Sequence, residues 1–121
     1  LTASPLASAY CTAKASEIHL ARCLALETAP SGIRVNVINP DAVLQGSKIW
    51  TGKWLYERMS AYNKKNKEDL EDHYKERSLL KKSVLPVDIA EAAYFMASDL
   101  SSKSTGNIIN VDSGNIQSFT R

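Results

Sequence analysis

The chain has 121 residues, of which 44% are hydrophobic and 23% charged, and its net charge is +2. That balance belongs to a single folded domain and excludes a disordered or collagen-like chain. The charge is too small and too evenly spread to suggest nucleic acid as a partner, and no apolar run approaches the roughly 20 residues of a membrane helix.

The opening Leu1-Thr2-Ala3-Ser4-Pro5 carries no initiator Met and no signal-peptide pattern, and reads as the middle of a longer chain. A helix is predicted from about Ser8 to Thr28. The segment is rich in Ala and Leu, lacks Gly and Pro, and stops before Pro30 and Gly32. Its apolar residues surround most of the helix, so it needs cover on more than one side, a sheet on one and a partner subunit on another. Cys11 and Cys23 share this helix. Twelve residues of rise separate them by roughly 18 Å, beyond disulfide reach, and they read as reduced thiols of a cytoplasmic protein.

Ile33-Arg34-Val35-Asn36-Val37-Ile38 is dominated by β-branched residues and closed by Asn39-Pro40, a strand running into a turn. Residues 47–83 turn helical again. Leu55, Met59 and Tyr62 fall at helical spacing, as do Leu70 and Tyr74, giving two helices with a polar break near Asn63 to Lys67. The basic Lys64, Lys65 and Lys67 run into Glu68, Asp69, Glu71 and Asp72, a solvated helix face. Pro86 opens another helix with Ile89, Ala92, Ala93 and Met96 on one face, and Ser101-Ser102 lie just past its end. Asn107-Ile108-Ile109-Asn110-Val111 is a closing strand. Two strands joined through a helix imply a parallel pair. Parallel sheets need both faces covered, so the pattern asks for more strands than the chain supplies.

Tyr10 and Lys14 stand four apart, so both side chains project from one helix face. A phenol near pKa 10 is a poor base at neutral pH, and a neighbouring ammonium favours the phenolate. Such a phenol can exchange a proton with a substrate hydroxyl or carbonyl, and the ammonium can also donate to ribose hydroxyls of a nicotinamide cofactor. The pair alone is a weak signal; its setting adds weight.

Ser8-Ala9-Tyr10-Cys11-Thr12-Ala13-Lys14-Ala15 resembles the active-site helix of the short-chain dehydrogenase/reductase family. Gly32 to Pro40 resembles the family's next strand and the turn over the nicotinamide, Pro86 to Ala92 its last large helix, and Thr105 to Gly114 its final strand and closing turn. Four blocks in family order cover most of the chain. The resemblance implies an α/β fold, the C-terminal portion of a doubly wound, Rossmann-like parallel sheet without the N-terminal dinucleotide-binding half. It further implies Tyr10 as acid/base and Lys14 as its partner and ribose contact. Pro40, Asp41, Ala42 and Val43 would cover the nicotinamide of NAD or NADP, with NAD favoured, and residues 47–83 would form a substrate lid. Trp50 and Trp54, four apart within that lid, read equally well as lid residues or as packing.

The stretch Asn39 to Trp50, with Gln117-Ser118-Phe119-Thr120-Arg121, also resembles the dehydrogenase part of bifunctional proteins that fuse it to a rhamnulose-1-phosphate aldolase. That resemblance implies lactaldehyde as the small-molecule substrate, an upstream aldolase domain, and a homo-oligomer. Two departures stand out. Asp41 replaces the Gly usual after Asn-Pro and puts a carboxylate beside the nicotinamide; Ser113 replaces a Gly of the closing turn. The five glycines are scattered at 32, 46, 52, 106 and 114, so no phosphate loop is present, nor is the serine the family places upstream of the tyrosine.

His19 and His73 are isolated and lack ligand spacing for a metal. Glu17 and Glu27 are expected to meet solvent or a neighbouring subunit, and Ser31, Ser101 and Ser102 to cap turns. The rival to an enzyme part is a non-catalytic binding or assembly module that keeps half of the fold, with Tyr10 and Lys14 as relics. A third reading is an expressed or proteolysed piece of the enzyme. Under each, this chain alone is expected to be inactive.

Overall fold

Helix α1 spans Ser8–Thr28, the predicted interval. Pro30 converts its end into a 3-10 turn, Ala29–Ser31, and Gly32 closes it in the left-handed conformation at φ 72°, which a side chain would strain. The computed structural model describes residues 4–118; the Phe119-Thr120-Arg121 end of the finer resemblance lies outside the described residues.

Strand β1 covers Val37–Pro40, later than the predicted Ile33 to Ile38. The reason is local. Residues 34 to 36 spend their hydrogen bonds on the loop after the last helix instead of on a ladder. The Arg34 guanidinium donates to the Ser101 carbonyl at 3.0 Å and the Ser98 carbonyl at 3.2 Å, the Val35 N–H to Thr105 Oγ1 at 3.1 Å, and Asn36 Nδ2 to the Ser104 carbonyl at 2.9 Å. Ladder pairing begins only at Val37. It matches Val37 to Ile108 and Pro40 to Val111, in parallel with β2 (Ile108–Val111).

Between the strands lie a 3-10 turn at Lys48–Trp50, α2 (Gly52–Ala61), α3 (Lys67–Arg77) and α4 (Pro86–Ala97). The polar break expected near Asn63 to Lys67 separates α2 from α3. Asn66 caps α3 by accepting from the Asp69 N–H at 2.7 Å. Pro86 stands at the first turn of α4, where its missing N–H costs nothing, and Asp88 accepts from the Leu85 N–H at 2.7 Å. Helix α4 packs on both strands.

The best-covered core is not on the sheet. Leu44, Trp50 and Leu70 are buried together, with Ala42, Trp54, Leu55, Met59, Tyr62 and Tyr74 packed around them. Every residue of β2 is only half-buried. Along α1 only Ala25 is buried. Among the described residues, no helix is long and apolar enough to cross a membrane.

Candidate active site

The end of β1 delivers Pro40, Asp41, Ala42 and Val43 to one side of a cleft of about 550 Å³, and α1 delivers Tyr10 and Lys14 to the same cleft. Trp50 and Trp54 line it as well. Ala42 sits at φ 46°, a left-handed conformation that an alanine adopts only when its surroundings impose it. Its neighbours in the lid core, Leu44 and Trp50, are that constraint.

Four residues of helix put the Lys14 ammonium 6.0 Å from the centre of the Tyr10 ring. The ammonium is bonded to Glu17 Oε2 at 2.8 Å. Glu17 meets solvent, as expected, and one helical turn also brings its charge to that of Lys14. The hydrogen bond that Lys14 donates to Glu17 raises the Lys14 pKa, so its ammonium stays charged at neutral pH. Tyr10 is 41% exposed, and its ring lies 4.9 Å from that of Trp54.

The two tryptophans divide their work. Trp50 is buried at the base of the lid, edge-on to Tyr74 at 5.5 Å. Trp54, in the first turn of α2, meets both the Tyr10 ring and the guanidinium of Arg58, whose carbon is 4.7 Å from the Trp54 ring. Tyr74 also lines the cleft, but burial pushes its phenol pKa up and keeps it protonated. It is no base.

The Asp41 carboxylate, expected to sit beside the nicotinamide, faces a guanidinium. Arg77 Nη2 donates to Asp41 Oδ1 and Oδ2 at 2.8 and 2.7 Å, and Asn115 Nδ2 donates to Oδ2 at 3.0 Å. Arg77 in turn stacks on Tyr74 at 4.3 Å. A carboxylate thus replaces the flexible Gly and ties the end of β1 to the end of α3. Ser78 and Asn115 form an antiparallel bridge beside it. Sequence reading missed Arg58, Arg77 and Asn115. A signal existed for two of them: Arg58 follows Trp54 by four residues on one helix face, and a carboxylate in a Gly position demands a cation.

A family profile described as enoyl-(acyl carrier protein) reductase matches residues 1–115. The chain belongs to the short-chain dehydrogenase/reductase family. An uncharacterized oxidoreductase, YuxG, of Bacillus subtilis is 51% identical over 115 residues, 95% of this chain and 16% of that protein. The NAD-dependent glycerol dehydrogenase of Listeria innocua is 30% identical over 88% of this chain and 36% of its own length. The crystal structure of carveol dehydrogenase from Mycobacterium avium in complex with NAD superimposes with a TM-score of 0.77 at 26% identity, covering 95% of this chain and 42% of that one. The chain therefore spans well under two thirds of each of these relatives, and its architecture is part of a Rossmann-like fold.

Proposed function

We propose that the chain is the C-terminal part, residues 1–121, of an NAD(P)-dependent dehydrogenase that moves a hydride between the cofactor and a small hydroxy or aldehyde compound. The observation that carries this reading is the meeting of Tyr10, Lys14 and the Pro40 to Val43 turn on one cleft. Its volume of about 550 Å³ suits a nicotinamide riboside with a small substrate, and Lys14 offers a fixed cation with ammonium donors for ribose hydroxyls. Bound there, NAD(P) would supply the hydride acceptor. Tyr10 Oη takes the proton from the substrate hydroxyl in oxidation and returns it to the carbonyl oxygen in reduction. The Pro40, Asp41, Ala42 and Val43 turn covers the nicotinamide, and Trp54 with the rest of 47–83 closes the substrate side and excludes water.

The finer reading is an NAD-linked lactaldehyde dehydrogenase of rhamnose metabolism, fused to an upstream aldolase. It draws on the Asn39 to Trp50 resemblance. The length of YuxG agrees: a similar matched stretch is 16% of it but 36% of the glycerol dehydrogenase, so YuxG is more than twice as long. The missing first half would bring the phosphate loop and the serine. Exposed Leu20, Leu24 and Leu26 on α1 and Tyr94 and Phe95 on α4 suit a homo-oligomer, and the free Cys11 and Cys23 suit the cytoplasm.

The test is made on the whole gene product, expected to be much larger than the 13.3 kDa of this chain. Tyr10→Phe should lower kcat by about 100-fold or more, and Lys14→Met should both lower kcat and move its pH profile. NAD should give a higher kcat/KM than NADP with lactaldehyde. Unchanged kcat in Tyr10→Phe would leave the non-catalytic assembly module as the better reading. NAD reduction by the purified 121-residue chain would sink the claim that it is half of a site.

A further inference from the structure

Arg58 is the least expected residue of the cleft. It is 1% exposed, yet among the described residues its Nε and Nη1 find no hydrogen-bond acceptor, while Nη2 donates to the Pro5 carbonyl. No carboxylate lies within ion-pair distance of it among the described residues. Contrast Arg77, whose charge is answered by Asp41. A guanidinium is always charged, and a buried charge without a counterion is strongly unfavourable unless something arrives to pair with it. This chain's own residues already enclose Arg58, and it reaches the wall of the cleft that holds Tyr10. A substrate entering along the cleft can supply a partner for its free N–H groups.

Trp54 links the two residues. Its ring is 4.9 Å from the Tyr10 ring and 4.7 Å from the Arg58 guanidinium. Tyr10 and Arg58 line the same cleft, so a molecule whose hydroxyl reacts at Tyr10 can present its far end to Arg58. Planar guanidinium donors match the oxygens of a carboxylate or a phosphate.

We infer that Arg58 is a specificity-determining residue that binds a carboxylate or phosphate carried by the substrate a few bonds from its reacting carbon. The inference rests on reading this cleft as the substrate site of the dehydrogenase. It assigns the substrate an acidic end, which the neutral lactaldehyde lacks.

The experiment uses the whole dehydrogenase that carries this segment. Calorimetry measures the affinity of 4-hydroxybutyrate against 4-hydroxybutyramide, and of glycerol 3-phosphate against glycerol, for wild type, Arg58→Gln and Arg58→Lys, with NAD-linked oxidation followed in parallel. At least one anion should bind about 10- to 100-fold more tightly than its neutral partner, and which anion it is separates carboxylate from phosphate. Arg58→Gln should weaken the anion far more than the neutral compound, and Arg58→Lys should keep part of the preference. The wild-type comparison and Arg58→Lys decide the matter even where Arg58→Gln fails to fold. Equal affinities for anion and neutral partner overturn the inference, as does an equal loss for both in Arg58→Gln, which would make Arg58 a structural cation. Oxidation of neutral alcohols with no anion preference would sink this inference alone and leave the dehydrogenase reading standing. An Arg58-dependent anion preference without oxidation of any alcohol would do the reverse.

Discussion

The α2–α3 segment, the proposed lid, and the helix–sheet part of this chain solve the burial problem to different degrees. In the lid, Leu70 is fully buried and Leu44 nearly so, with Trp50, Tyr62 and Tyr74 closing around them. On α1, Leu26 is 80% exposed and Leu20 58%, and both strands stay half-buried. The lid core is local: every residue of it lies between Ala42 and Tyr74. Helix α1 and the two strands are components of a larger layered sheet, and their apolar faces are built for neighbours that this chain does not contain. The lining of the cleft is split the same way. Tyr10 and Lys14 come from the under-covered part, and Trp54, Arg58 and Arg77 from the better-covered one.

The comparison breaks first at Leu70. Leu70→Ala should cost about 2–5 kcal/mol, because it empties a fully enclosed site, whereas Leu26→Ala should stay within about 0.5 kcal/mol in the 121-residue chain. Urea unfolding of the two variants measures the contrast, and hydrogen exchange should show the α3 amides better protected than those of α1. Equal protection of the two helices would mean that α1 has found cover that its exposure does not reveal.

Next in size is the tie between the two regions. Asp41→Asn leaves the Arg77 guanidinium without its counter-charge in a place where both side chains are under one quarter exposed, and should cost about 2 kcal/mol. The same change should loosen α3 from the end of β1, visible as faster exchange at Leu79 and Leu80. Their N–H groups are held by the carbonyls of Gly114 and Ser113 at 3.1 and 3.0 Å. Arg77→Ala combined with Asp41→Asn should cost less than the two changes added, since they remove one interaction.

The closing turn offers a smaller effect of opposite sign. Ser113 holds φ 53°, a conformation in which its Cβ is strained, so Ser113→Gly should stabilise the protein by about 1 kcal/mol. Gly114 beside it cannot change: at φ 81°, an added Cβ would fall 2.9 Å from Leu79 Cβ. Gly114→Ala should destabilise where Ser113→Gly stabilises, and thermal unfolding of the pair reads both signs.

How much of this was legible follows the same division. Helix α1, both helices of the lid, α4 and the parallel pairing were readable from periodicity and punctuation, because Pro30, Gly32, Asn66 and Pro86 act within a few residues of themselves. The start of β1 was not. Arg34 and Asn36 carry the β-former pattern onward but bond to Ser98, Ser101 and Ser104, some 64 to 70 positions away, and no local rule contains that contact. In the site, Tyr10 and Lys14 were visible as a spaced pair on one helix. The Asp41–Arg77 tie and the orphan guanidinium of Arg58 depend on where α2 and α3 pack, which spacing alone does not state.

The smallest expected effect lies within the lid. His73 stacks on Tyr62 at 4.5 Å and on Tyr74 at 5.6 Å. Partial burial lowers its pKa below the ordinary 6.5, and the charges of Lys64 and Arg77 lower it further. The folded lid therefore holds a neutral imidazole, while the unfolded chain takes up a proton near pH 6.5. Between those two values the unfolded state binds more protons, so stability rises with pH there. The contribution is complete above about pH 6.5 and is lost as the pH falls toward the folded-state value. His73→Phe keeps the ring stack and removes the titration. Its unfolding midpoint should fall less than that of wild type between pH 7.5 and pH 5.5. An equal fall in both would place the acid sensitivity away from His73.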